Sequence, residues 1–219
     1  MPKGVDGTFI RHMEDVLELD AEPYDPARPV VCFDAASKEL RGDVIEPIPP
    51  APGSPAKQDY EYTRHGTANL FVIVEPLGGR REVTVTERRT IPDFAAQMKH
   101  LCEEMSPEAE VIRVVLDNLN TPTLGSLFAT YPPEEAWRLA RRLEFHYTPK
   151  HASWLNMAEC ELSVLSRQCL NCRLSSQEAV SAQVGPWRED RNRAKVQIKW
   201  SFRVADARRK LAHFYPQTS

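Results

Sequence analysis

Val30-Val31-Cys32-Phe33-Asp34 and Val111-Ile112-Arg113-Val114-Val115-Leu116-Asp117 are the two stretches whose reading decides the fold. Each is a short apolar run, rich in β-branched residues, that stops on an aspartate. Such runs read as strands buried on both faces. An Asp at the end of a buried strand faces the C-terminal edge of a sheet, where ligands of α/β folds collect. A third acid, Glu159, closes Ser153-Trp154-Leu155-Asn156-Met157-Ala158-Glu159. That segment reads as a helix start, with Ser153 as N-cap and an apolar stripe of Leu155, Ala158, Leu162 and Leu165. Two strand-end Asp and one helix Glu suit a pair of hard cations, because Mg²⁺ takes carboxylate oxygens together with phosphate and water. Two such ions roughly 4 Å apart clamp the attacking and leaving oxygens of a phosphodiester. Taken singly, each acid has a plainer use as a turn former or helix cap, and Asn118 and Asn120 suit a turn after Asp117.

The rest of the chain fits strands first, then alternating helix and strand. Phe9 to Leu19 has helical apolar spacing. Pro23, Pro26 and Pro29 separate it from the first core strand, so residues 1–28 read as an N-terminal helix with a Pro-rich lead-in, and 29–219 as the main domain. Lys38 to Ile48 is expected to pair back as a second strand. Pro47 to Pro55 is an exposed connector. Asp59 to Arg64 alternates like an edge strand, Ala68 to Val74 reads as a central one, and Arg81 to Thr86 alternates again. Helices are expected from Pro92 to Met105, Pro133 to Leu143, Ser176 to Arg193 and Ala205 to Tyr215, with a short strand at Glu144 to Tyr147. This order predicts a mixed α/β sheet with helices on both faces.

At 219 residues, 42% hydrophobic and 27% charged, the chain has the composition of one soluble globular domain. No apolar run approaches the roughly 20 residues needed to span a bilayer. The first 20 residues carry acids and no apolar core, which excludes a signal peptide and predicts a cytoplasmic location. Five cysteines include Cys169-Leu170-Asn171-Cys172, but no second such pair accompanies it. Cys160, Cys169 and Cys172 therefore read as small apolar residues of one helix rather than zinc ligands. The net charge of −3 hides an asymmetry. Residues 137–219 hold 15 Lys/Arg and 7 Asp/Glu, or +8, whereas residues 1–136 hold 13 and 24, or −11. The C-terminal part is the expected phosphate-facing surface, against the alternative of ordinary solvated helix faces.

The words around the acids carry more. Val31-Cys32-Phe33-Asp34, Arg64-His65-Gly66-Thr67-Ala68-Asn69-Leu70, Leu116-Asp117-Asn118-Leu119-Asn120-Thr121, and His146-Tyr147-Thr148-Pro149-Lys150-His151-Ala152-Ser153-Trp154-Leu155-Asn156-Met157-Ala158-Glu159 resemble one family. It is the bacterial insertion-sequence transposases of the mariner-like superfamily, specifically the insertion-sequence six-thirty group. The resemblance runs from about Glu14 to Pro216. It implies an RNase H-like fold with a mixed five-stranded sheet flanked by helices on both faces. It also implies an acidic triad of Asp34, Asp117 and Glu159 as catalytic and metal-binding residues, with Mg²⁺ or Mn²⁺ in a two-metal site. Three departures stand out. Ala35 replaces the Glu that commonly follows the first Asp, and Pro122 replaces a His. The 41 residues between Asp117 and Glu159 make a longer interval than is usual in the wider superfamily.

Taken over to this chain, the resemblance implies DNA as partner: transposon inverted-repeat ends as substrate and a TA dinucleotide as target. It also implies a possible homodimer and a nucleoid-associated cytoplasmic location. Water would nick the transposon end, and the freed 3′-OH would then attack target DNA. Arg64, His65, Lys150 and His151 are the expected DNA-binding residues beside the cleft, with ordinary surface histidines as the alternative. His146 reads as structural, and Trp154 as a core anchor rather than a base-stacking group. Family members carry an N-terminal helix-turn-helix, which this chain is expected to lack. Two other readings remain open: a catalytically silent transposase remnant acting as a DNA-associated or interaction domain, and a stand-alone RNase H-like nuclease.

Overall fold

The computed structural model describes residues 7–55, 57, 59–117 and 123–215. Five strands form one sheet in the order β3-β2-β1-β4-β5. They are β1 (Val30–Asp43), β2 (Tyr62–Glu75), β3 (Arg80–Thr86), β4 (Ile112–Leu116) and β5 (Leu143–Tyr147). The first three form an antiparallel meander, while β4 and β5 run parallel to β1. Helices α1 (Gly7–Leu19), α2 (Ile91–His100), α3 (Gly125–Thr130), α4 (Pro133–Ala140), α5 (Met157–Gln168), α6 (Gln177–Arg193) and α7 (Val204–Lys210) surround it. The expected mixed five-stranded sheet with helices on both faces is present.

Side-chain alternation along the strands sorts the core into two faces. Val31, Phe33, Phe71, Ile73, Ile112 and Val114 pack with α2, α3 and α4 through Phe94, Met98, Leu127 and Leu139. Cys32, Val74 and Val115 turn the other way, toward Met13, Val16 and Leu17 of α1 and Met157 and Ala158 of α5. Farther along that face, Leu70 and Val72 meet Leu162 and Leu165 of α5 and Val180 and Val184 of α6. The N-terminal helix is therefore a member of the core and not an appendage.

Four sequence expectations change. Lys38 to Ile48 is not a separate second strand, and Asp59–Arg64 and Ala68–Val74 are not two strands. β1 and β2 are each continuous over 14 residues. Small and polar residues from Ala35 to Glu39 lower hydrophobicity without breaking the strand, and the one irregularity is a register shift between Glu39 and Arg41. There the Arg41 N–H leaves the ladder and donates to the Leu174 carbonyl at 2.8 Å. The helix expected from Pro92 to Met105 is α2 followed by a wider π-type turn over Leu101–Met105. Finally, α5 ends at Gln168, so Cys160, Cys169 and Cys172 do not share one helix, and Cys160 and Cys172 are exposed.

Two buried charges need separate accounts. Arg81 of β3 and Glu161 of α5 are 0% and 1% exposed and meet at 2.7 Å. Arg191 of α6 adds two bonds to the same carboxylate, at 2.9 and 3.1 Å. A buried pair of this kind is costly to break singly, since one uncompensated charge remains. Asp20, just past α1, is 9% exposed, and neither carboxylate oxygen has a partner among the described residues. Burial pushes its carboxyl up from 3.8 to about 7, with Arg203 opposing.

The folded Asp20 thus holds its proton up to about pH 7, and the unfolded one only to 3.8. Its favourable contribution is full below about pH 4 and is lost as pH rises through about 7. The full difference is on the order of 4 kcal/mol. Asp20→Asn is expected to melt well above the parent at pH 8 and to converge with it near pH 4, read by thermal melts across that range.

Candidate active site

Asp34 is not at a strand end. It is the fifth residue of β1 and pairs with Val72 of β2. What ends near it is the parallel ladder to β4, whose last β1 residue is Cys32, opposite Val115. Beyond that point β4 stops at Leu116, and Asp117 follows directly. The two aspartates therefore stand at the lip where the sheet parts between neighbouring strands. Both line a cleft of about 610 Å³, with Phe33, Ala35, Arg89, Thr90, Leu116 and Ser126 among its walls.

The two aspartates are each held by a hydrogen bond. The Thr148 hydroxyl donates to Asp117 Oδ1 at 2.8 Å, and the Thr148 N–H donates to the Leu116 carbonyl at 2.9 Å. Thr148 has no exposed surface, so its hydroxyl has little choice of partner. Asp34 Oδ1 accepts the Ala35 N–H at 2.7 Å. Glu159 lies in the first turn of α5, where a carboxylate is favoured by the helix dipole. The cap of α5 is Asn156, not Ser153. Its side-chain oxygen accepts the Ala158 N–H at 3.1 Å, while its Nδ2 donates to the Phe33 carbonyl at 2.8 Å. Ser153 instead opens a short 3₁₀ turn over Ser153–Leu155. The buried Asn156 thus bolts the start of α5 to the residue before Asp34.

The electrostatics register this convergence. Burial raises the Asp34 carboxyl from 3.8 to about 6, against the Ala35 N–H bond, and the Glu159 and Asp117 charges push it higher, while Arg89 offsets part. Carboxylate oxygens are the right donors for a hard divalent cation. The expected three-acid cage is not closed, however. Among the described residues no group of three or more His, Cys, Asp or Glu stands ready to hold a metal, and Glu159 is exposed and outside the cleft lining. Asp34 and Asp117 offer two such donors in one cleft, and Mg²⁺ is usually held by one or two carboxylates completed by phosphate and water.

The expected DNA-contacting residues separate into two places. Lys150 and His151 lie in the exposed turn just after Thr148, and His151 takes a left-handed φ of 63° there. Arg64 pairs with Arg41, seven residues along β1 from Asp34, or roughly 23 Å at strand spacing. It pairs with Glu39 at 3.0 Å, and the His65 ring contacts the Thr63 hydroxyl at 2.8 Å. Arg64 and His65 therefore do not flank the cleft as expected. Trp154 is not a core anchor. It is 44% exposed and stands edge-on to Phe202. His146 is structural, held between Asp15 at 2.9 Å and Glu144 at 3.1 Å. Pro122 and the Asn118–Thr121 segment lie outside the described residues. The sequence reading missed Thr148, Asn156 and Arg89. Thr148 and Asn156 lie inside the quoted His146–Glu159 block, which was the available signal for them.

Residues 29–181 match the family of DDE superfamily endonucleases, and the chain belongs to that family. Its fold is that of the Mos1 mariner transposase, the RNase H-like fold. The Mos1 mariner paired-end complex with Mn superposes with a TM-score of 0.53 at 15% identity, covering 90% of this chain and 60% of that one. The Mos1 strand transfer complex gives 0.54 at 14% identity, with the same coverage. The chain thus spans about 60% of the length of these solved structures. No curated protein matches it. No helix among the described residues is long and apolar enough to cross a membrane.

Asn156→Ala removes an N-cap, worth about 1 kcal/mol, and strands a buried carbonyl, worth roughly 1–3 kcal/mol. We expect a loss of roughly 2–4 kcal/mol, seen as a lower urea midpoint at unchanged slope. Asn156→Asp keeps the cap but cannot donate to Phe33, and it should lose the larger part. Equal stability of Asn156→Asp and the parent would show that the Phe33 bond contributes nothing.

Proposed function

We propose that this chain is the catalytic domain of an insertion-sequence transposase that cleaves DNA strands and transfers them. The observation that carries the reading is the cleft with Asp34 and Asp117 on its lip and the Glu159-bearing helix bolted beside Asp34 by Asn156. Membership of the DDE endonuclease family supports it. Asp34, Asp117 and Glu159 are the residues we assign to the chemistry and to Mg²⁺ or Mn²⁺. A bound divalent ion there supplies charge neutralisation of the phosphodiester and acidifies water.

The chain's own residues do the positioning. Asp34 is held by the β1–β2 ladder and Asp117 by the Thr148 hydroxyl, so two carboxylates face a scissile phosphate from neighbouring strands. Glu159 approaches from the α5 side and orients the attacking water. Lys150 and His151, in the turn after Thr148, contact flanking phosphates. Transposon inverted repeats as substrate, a TA target, a homodimeric assembly and a nucleoid-associated location belong to the same proposal.

A second reading is a catalytically silent domain that still associates with DNA. The exposure of Glu159 and its place outside the cleft lining favour it.

Two measurements decide between them. Mn²⁺ binding to the native state should raise the melting temperature, because a ligand that binds only the folded chain stabilises it. Asp117→Asn should abolish most of that rise, and an equal rise in the variant would place the ion elsewhere. Supercoiled plasmid with Mn²⁺ should be nicked slowly by the parent and not by Asp34→Ala. Nicking that is equal in both proteins, or absent from both, would leave the silent reading standing.

A further inference from the structure

The cleft has a basic element that neither the charge asymmetry nor the resemblance singled out. The segment from β3 to α2 forms part of its wall, and Arg89 lies there. Its Nη1 donates to the Ala35 carbonyl at 3.2 Å, which holds the guanidinium beside the residue that follows Asp34. A guanidinium has five N–H donors in a fork, and this bond uses one. Arg89 is exposed, and no carboxylate among the described residues forms an ion pair with it. It lines the same cleft as Asp34 and Asp117. Arg64, Arg138, Arg173 and Arg188 by contrast each pair with a carboxylate, while Arg141 and Arg167, which also touch only a backbone carbonyl, lie outside this cleft.

A side chain braced at one nitrogen, with its remaining donors open toward an acidic cleft, suits a tetrahedral oxyanion that the fork can grip at two oxygens. We propose that Arg89 binds a backbone phosphate of the DNA strand in the cleft and so holds that strand against Asp34 and Asp117. The assignment rests on the transposase reading and deepens it. It puts a phosphate contact in the acidic N-terminal portion of the chain, where the count of charges pointed away from DNA. A purely structural role is the competing account: Arg89 would then only brace β1 through the Ala35 carbonyl.

The test is the salt dependence of duplex binding by the whole chain. A fluorescent random-sequence duplex is titrated by anisotropy from about 50 to about 200 mM KCl. The proteins are the parent, Arg89→Ala and Arg89→Lys, with plasmid nicking followed in parallel. Losing one phosphate contact should flatten the slope of log affinity against log salt by about 0.9. Affinity at low salt should fall roughly tenfold in Arg89→Ala, as for a charged hydrogen bond. Arg89→Lys keeps a point charge for the phosphate and should keep the parent slope. If the parent binds and Arg89→Ala shows the same slope and affinity, the Arg89 assignment is overturned and the transposase reading stands. If Arg89→Lys is as flat as Arg89→Ala, the lost brace on Ala35 explains the effect, and the assignment is again overturned. If the parent itself neither binds duplex at the lowest salt nor nicks plasmid, the transposase reading fails and takes the assignment with it.

Discussion

Three residue pairs of parallel ladder, Val30 to Cys32 against Arg113 to Val115, are the constraint on which the candidate site depends. Everything on one side of them is an antiparallel meander that local pairing can build. Everything on the other side arrives after a long helical excursion from β3. Within the sheet the two halves join at this seam, and the seam is short. Its end creates the cleft: β4 stops and β1 continues, so a gap opens with Asp34 on one lip and Asp117 on the other. The core on both faces of the seam is apolar, with Val31 and Val114 on one side and Cys32 and Val115 on the other, all fully buried. Their packing sets the spacing of two like charges that would otherwise drift apart.

The two apolar runs were legible because strands buried on both faces must be nearly continuous in apolar residues. The runs gave the two central strands and the acids beside them. The extent of β1 was not legible, because Ala35 to Glu39 looks like the start of a turn when read by hydrophobicity alone. In the structure the segment keeps its ladder to β2 and simply has less cover. The placement of Arg64 and His65 failed for the same reason. Once β1 and β2 run on as single long strands, the far end of the hairpin lies well away from the carboxylates. Ser153 was a reasonable cap by residue type, yet Asn156 won. An amide both accepts from the α5 backbone and donates to Phe33, and a hydroxyl three residues earlier reaches neither. No local pattern announces a bond between residues 123 positions apart.

The charge map tells a related story. Several of the basic side chains after residue 137 are already engaged. Arg191 is committed to the buried Glu161 and Arg188 to Glu82, while Arg142 is spent on carbonyls of Cys102, Ser106, Pro107 and Ala109. A tally of sequence charge counts these as available for DNA, and the structure does not. Position within the fold decides whether an arginine is a rivet or a free hand, and Arg89 lies in the cleft with no carboxylate partner among the described residues.

The interior position of Asp34 in β1 has a further consequence. A carboxylate carried on a loop adapts to ions or substrates of different size by backbone adjustment. Asp34 has no such freedom, because its neighbours on both sides are pinned in register to β2 and the Phe33 carbonyl is tied to Asn156. Asp117 hangs from the last residue of a five-residue strand, and Glu159 rides an exposed helical turn. In the proposed site, any fitting to the occupant therefore falls to those two, with Asp34 as the datum from which they are measured. Changes that loosen β1 itself would blur the reference point. Changes around Thr148 or the first turn of α5 would retune the aperture while leaving that reference in place.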